Sequence, residues 1–189
     1  MTAFALAGRL VTTTGILDEG VLEVRQDGTI GYVGPTAGWS GPSPEPVDTV
    51  APGYVDIHCH GGGGHAVTSH DPGEVAAVAA HHLSHGTTTM LASLVSASSP
   101  DLVAAIAAIS SVAGTGSPVV GCHVEGPFLD PAHRGAHDPA SLRLPGLDEL
   151  GTWLAAGVDD AGRPTVRMVT LAPELPGAAA AADLLERSG

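Results

Sequence analysis

The sequence predicts an α/β fold in two parts: a small β-rich segment ending near Val50, then strand–helix units in series. Three observations predict it. A hairpin signal lies in the first third, a Gly/Pro-rich stretch interrupts the chain at Gly41–Pro46, and apolar strand-like runs then alternate with capped helical segments. With 189 residues, 43% of them hydrophobic but only 3% aromatic, the chain can bury a sizeable core built from Ala, Val and Leu.

In chain order, Val21–Gln26, then Asp27-Gly28, then Thr29–Val33 read as a hairpin whose turn wants positive φ. Gly41–Pro46 reads as a linker. Val50–His60 is strand-like. Asp71-Pro72-Gly73-Glu74 opens a helix, with a cap, a proline in the first turn and an acid at its third position, and Gly86 ends it after His85. Thr87–Val95 is the next strand. Ser99-Pro100-Asp101 opens a helix running to Ala113-Gly114, Pro118–Glu125 is a third strand and Leu147–Ala156 a third helix. Thr165–Leu171 and Pro176–Arg187 complete a fourth pair. Four such units imply a parallel sheet, either doubly wound or part of a (β/α)8 barrel. No G-x-G-x-x-G follows the first of these strands, which weighs against dinucleotide binding.

Composition excludes several functions. Twenty acidic and seven basic residues leave a net charge of −13, which argues against nucleic acid as a partner. All seven basic residues are arginines, so a P-loop lysine, a Schiff-base lysine and a carboxylated-lysine metal bridge are absent from this stretch. No apolar run approaches the ~20 residues needed to span a bilayer. Met1-Thr2-Ala3-Phe4 lacks the basic region and apolar run of a signal peptide, and none is expected there. Cys59 and Cys122 do not make a disulfide framework, so a reduced, cytoplasmic setting is expected.

The chemistry concentrates in three motifs. In Asp56-Ile57-His58-Cys59-His60-Gly61, alternation along a strand puts Asp56, His58 and His60 on one face, and two imidazoles at the end of a strand converge as metal ligands. The bland alternative is a pair of hydrogen-bonded core histidines. In His123-Val124-Glu125-Gly126-Pro127-Phe128, Gly and Pro stop the strand with the Glu125 carboxylate at its mouth, and without lysine Glu125 is the candidate bridging ligand. His123 lies one layer deeper, orienting Glu125 or packing under it. Arg134-Gly135-Ala136-His137 falls in a long loop above the same mouth, as either a solvated surface or a substrate contact. Gly61–Gly64 lacks the lysine of a phosphate cradle and reads as a mobile loop. His81, His82 and His85 read as exposed helix residues. Ser93, Ser96 and Ser98 lack the G-x-S-x-G setting of a serine hydrolase.

These motifs, with Thr170-Leu171-Ala172-Pro173-Glu174, resemble the N-acetylglucosamine-6-phosphate deacetylases of the amidohydrolase superfamily. H-x-H marks only the superfamily; H-x-E-G-P-F with T-x-A-P-E is more specific. The resemblance implies a small β-sandwich segment over 1–50. Over 51–189 it implies the first four βα units of a (β/α)8 amidohydrolase barrel, incomplete before strand five. It makes Glu125 a metal ligand, His58 and His60 the pair that some members use for a second metal, and Ala136 and His137 substrate contacts. The implied cofactor is one or two divalent ions, zinc first and iron, cobalt or manganese as alternatives. The implied reaction is hydrolysis of the N-acetyl amide of an amino-sugar phosphate, with the metal polarising the carbonyl and supplying hydroxide. Two further histidine ligands and an acid/base aspartate of that family find no match before Gly189, so the 189 residues alone are expected to be inactive. Open barrel edges are expected either to be covered by another chain, in a homo-oligomer or by association through those edges, or to leave a fragment that is not a stable monomer. A dihydroorotase-like or hydantoinase-like enzyme is the rival reading, weakened because Thr165–Leu171 holds no lysine. An inactive truncated amidohydrolase is the other.

Overall fold

In the computed structural model, residues 3–114 and 116–188 are described; residues 1, 2, 115 and 189 lie outside the described residues. The chain divides into two compact units between Gly53 and Tyr54, a few residues beyond the Val50 boundary expected from sequence.

The first unit holds one four-stranded sheet of β1 (Phe4–Thr12), β2 (Gly15–Val24), β3 (Ile30–Pro35) and β4 (Glu45–Val50), in the order β3-β2-β1-β4. The β2–β3 hairpin is the one read from the sequence. Its turn is held by Asp27, whose carboxylate accepts from the Thr29 N–H and hydroxyl at 2.9 and 2.6 Å, and Gly28 takes φ +83°. The expected linker is shorter than its composition suggested. Glu45 and Pro46 already belong to β4, an edge strand where a proline costs no ladder bond on its free side. The strand read over Val50–His60 is therefore two strands, because Val50 pairs with Leu10 in the first unit.

The second unit is a four-stranded parallel sheet with helices between its strands. β5 (Tyr54–Cys59) is followed by a small ribbon of β6 (Gly61–Gly62) and β7 (His65–Ala66), then α1 (Pro72–Ser84). Next come β8 (Thr87–Leu94), α2 (Ser99–Val112), β9 (Val119–Glu125), α3 (Leu147–Ala156), β10 (Val166–Thr170) and α4 (Ala178–Arg187). Spatial order follows chain order, β5-β8-β9-β10, and every pair is parallel. The caps form as expected. Asp71 accepts from Gly73 N–H, and Ser98, one residue earlier than the sequence reading placed it, caps α2 through Asp101 N–H.

The core lies between this sheet and its helices. Met90, Leu94, Cys122 and Val124 of the strands meet Val78 of α1, Ile106 and Ile109 of α2 and Trp153 of α3. Phe128 stacks on Trp153 with ring centroids 5.1 Å apart. Alternation along β9 sends Cys122 and Val124 into this core and turns His123 and Glu125 to the other face. No helix among the described residues is long and apolar enough to cross a membrane.

Candidate metal centre

Three C-terminal strand ends meet at the site. β9 must stop at Glu125, because Gly126 adopts φ +74° and a side chain there would collide with the Ser96 hydroxyl. The carboxylate is thereby left at the rim of the sheet. His58, near the end of β5, and His60, just beyond it, bring their Nε2 atoms to 2.8 Å of each other. Glu125 Oε2 lies 3.5 Å from His58 Nε2 and 3.3 Å from His60 Nε2. Two imidazole nitrogens and a carboxylate oxygen thus face one small volume, with ligand atoms within 4.8 Å of one another. Such a grouping needs a proton or a cation at its centre.

The surrounding hydrogen bonds orient these rings. His60 Nδ1 sits 2.9 Å from the Ser93 carbonyl, which can only accept. The Nδ1 proton is used there, so in the neutral ring a lone pair on Nε2 faces the cluster. The Ser93 hydroxyl also accepts from Cys59 N–H at 3.1 Å and meets His123 Nδ1 at 3.0 Å. His123 is buried, its Nε2 lies 2.8 Å from the Thr170 hydroxyl, and its ring meets His58 edge-on at 5.1 Å. Burial, then the neighbouring His58, pulls its pKa below the usual histidine value and keeps the imidazole neutral. His123 therefore supports the site by packing on His58 rather than by hydrogen-bonding Glu125.

His137 is more enclosed than a loop histidine usually is, with its side chain 9% exposed. The Ser96 backbone N–H donates to its Nδ1 at 3.2 Å, and the Ser96 hydroxyl lies 2.7 Å from the same atom. Because an amide can only donate, the ring proton belongs on Nε2, which points toward Glu125 Oε1 at 3.7 Å. His137 is thus a hydrogen-bond donor at the mouth. Arg134 steadies its loop by donating to the His137 carbonyl at 2.5 Å. A cavity of about 750 Å³ opens here, lined by His58, His60, Glu125, Ala136, His137 and Thr170 among others.

Comparison with known proteins adds a frame. No protein-family model matches the chain. It is 32% identical over 181 residues to the N-acetylgalactosamine-6-phosphate deacetylase of Escherichia coli O157:H7, covering 94% of this chain and 46% of that protein. It is 39% identical over 133 residues to the N-acetylglucosamine-6-phosphate deacetylase of Bos taurus, covering 67% of this chain and 31% of that one. A mutant N-acetyl-D-glucosamine-6-phosphate deacetylase from Mycobacterium smegmatis, solved with N-acetyl-D-glucosamine-6-phosphate, superposes with a TM-score of 0.85 at 36% identity, over 100% of this chain and 48% of that chain. The chain resembles the N-terminal half of an N-acetylglucosamine-6-phosphate deacetylase. It spans less than half the length of each of these three relatives. Dihydroorotase-like and hydantoinase-like readings are not favoured beside such deacetylase relatives.

Several placements differ from those expected. Asp56 does not join His58 and His60; its carboxylate lies with Cys59 and His82, and its Oδ1 accepts from His58 N–H at 3.0 Å. The pairing of β5 with β8 shifts register between Asp56 and Cys59, so simple alternation fails across that step. Gly61–Gly64 is a tight ribbon, not a loose loop, with Gly63 and Gly64 at φ +63° and +87° making the turn. Of the helix histidines, His81 and His85 are exposed as expected. His82 is half-buried, with its Nε2 3.2 Å from Cys59 Sγ and 3.1 Å from the Gly61 carbonyl. The hydroxyls of Ser93 and Ser96, set aside as nucleophiles, and of Thr170, quoted only as part of a motif, hold the histidines of this cluster in place. Cross-strand register, which sets Ser93 opposite His123, would have exposed the first of them.

Proposed function

We propose that this chain provides the first half of a metal-dependent N-acetylglucosamine-6-phosphate deacetylase, with Glu125, His58 and His60 as metal ligands. The observation that carries the reading is the meeting of two imidazole Nε2 atoms and the Glu125 carboxylate at the C-terminal end of a parallel sheet. This donor set suits a borderline divalent ion such as zinc, and the His60 tautomer already presents its lone pair. A bound ion would supply Lewis acidity toward an amide carbonyl and lower the pKa of water. The chain's own groups do the rest. Ser93 and His123 fix the ligand rings, and the Nε2–H of His137 donates toward the cavity, where a substrate carbonyl or hydroxyl would accept it. Ala136 beside it leaves room for the sugar.

The same reading makes the parallel sheet the first four strands of a (β/α)8 barrel and the first unit a β-sandwich segment. Among the described residues strand order does not reverse, so there is no switch point of the doubly wound kind, and successive helices α1, α2, α3 and α4 touch in turn as they do around a barrel. In the resembled family two further histidine ligands and an acid/base aspartate complete the site. Residues 1–189 by themselves are therefore expected to bind metal without turning over. The test is calorimetric titration of the chain with zinc, with acetate release measured from N-acetylglucosamine 6-phosphate and N-acetylgalactosamine 6-phosphate. Loss of one zinc-binding step in Glu125→Gln supports the reading. Absence of binding, or equal affinity in Glu125→Gln, overturns the ligand assignment, and acetate release by residues 1–189 overturns the expectation of inactivity.

A further inference from the structure

On the helix side of β5, behind the His58–His60 pair, lies a second group of donors that the deacetylase reading does not use. Cys59, 5% exposed, belongs to the core between sheet and helices. Its Sγ, His82 Nε2 and the Gly61 carbonyl oxygen form a triangle with sides of 3.2, 3.1 and 3.5 Å. The Asp56 carboxylate completes the group, with the Asp, Cys and His ligand atoms within 4.8 Å of one another. Three electron-rich atoms at hydrogen-bond distance share at most a thiol proton and one ring proton. One cation would satisfy all of them together with the carboxylate.

We propose that Asp56, Cys59 and His82 form a second cation site, for a thiolate-accepting divalent ion of the zinc class, with the Gly61 carbonyl as the neighbouring oxygen. The mixture of sulfur, imidazole and carboxylate is a borderline-soft set that suits zinc or cobalt and disfavours magnesium or calcium. Its shape is built by the glycine ribbon: a side chain at Gly62 would come within 2.6 Å of His82 Nε2 and push that ring aside, so glycine lets β6 close over His82 where it stands. The three ligands come from β5 and α1, which the ion would clasp together just behind the strand end that carries His58 and His60. Its role is thus to hold that end in place. The site stands on these contacts alone, whatever reaction the other face supports.

Cobalt(II) titration of the reduced chain tests it, because cobalt bound to a thiolate gives a near-ultraviolet charge-transfer band that imidazoles and carboxylates do not. The His58–His60–Glu125 group contains no sulfur and is silent in this band. We expect the band to saturate at one ion per chain, to vanish in Cys59→Ser and to persist in Cys122→Ala. Affinity read from the band should fall at least tenfold in His82→Asn and in Asp56→Asn, both of which keep the thiol; these two variants decide the matter if Cys59→Ser does not fold. Cobalt binding without the band, as surface imidazoles such as His81 and His85 would give, overturns the proposal. So does a band that survives Cys59→Ser, or affinity unchanged in both His82→Asn and Asp56→Asn.

Discussion

At the N-terminal end of the parallel sheet, the Asp159 carboxylate is fully engaged, accepting from Ala161 N–H, Arg163 N–H and the Arg163 guanidinium at 2.9, 2.8 and 2.7 Å. At the opposite end Glu125 lies 3.3 to 3.7 Å from three imidazole nitrogens, and among the described residues no arginine or backbone N–H reaches it. The buried hydroxyls follow the same division. Near the N-terminal end Ser110 and Thr165 bond each other at 2.6 Å, and Ser110 donates onward to the Ile106 carbonyl. At the C-terminal end the buried Ser93 hydroxyl, with the exposed one of Thr170, instead bonds His123, whose ring packs on His58 of the cluster. One end spends its polar groups on its own fold. The other leaves donor atoms facing one another, an arrangement that costs stability unless something binds.

The largest expected effect lies at the C-terminal end. Glu125→Gln removes the negative donor of the His58–His60–Glu125 group, and calorimetry should show zinc affinity there falling by about 100-fold, the upper end of what loss of an outer partner costs. Thermal unfolding of the metal-free variant should move by less than about 1 kcal/mol, since the pairs around Glu125 are partly exposed. A large loss of stability would erase the contrast between the two ends.

His123→Ala sharpens it. The variant strips His58 of its edge contact and leaves the Ser93 and Thr170 hydroxyls without their partner. Zinc affinity should drop roughly 10- to 100-fold, the range for groups that orient ligands. Unchanged affinity would show that His58 and His60 are held by Ser93 and the backbone alone.

Ser110→Ala should do the reverse. It strands the buried Thr165 hydroxyl, so denaturant unfolding should report a loss of about 1–3 kcal/mol while zinc affinity stays level. The smallest effect belongs to Asp159. The Arg163 backbone N–H, then its guanidinium and Ala161 N–H, hold this carboxyl below the usual value of 3.8. A depressed carboxyl contributes stability above its unfolded pKa and loses it as pH falls through the folded one. Asp159→Asn should therefore weaken the protein at neutral pH and flatten its acid unfolding below about pH 4, measured by circular dichroism; an unchanged acid limb would mean that the loop carries no such linkage.

Much of this molecule is local and was legible residue by residue. The Asp71 cap with Pro72, the Gly28 turn, the Leu147–Ala156 helix and the strand stop at Gly126-Pro127 depend on neighbours a few positions apart, so the sequence by itself determined them. The pairing of His58 with His60 was legible for the same reason. What only the tertiary structure decided involves partners far apart in the chain. Glu125 meets His58 because β5 and β9 flank β8 in parallel and so end at the same edge of the sheet, and His137 turns inward because Ser96, 41 residues earlier, offers it an amide. His82 leaves the exposed set because the glycine ribbon folds β5's end against α1. Asp56 departs from its strand mates because a register shift, invisible to two-residue periodicity, turns it toward Cys59.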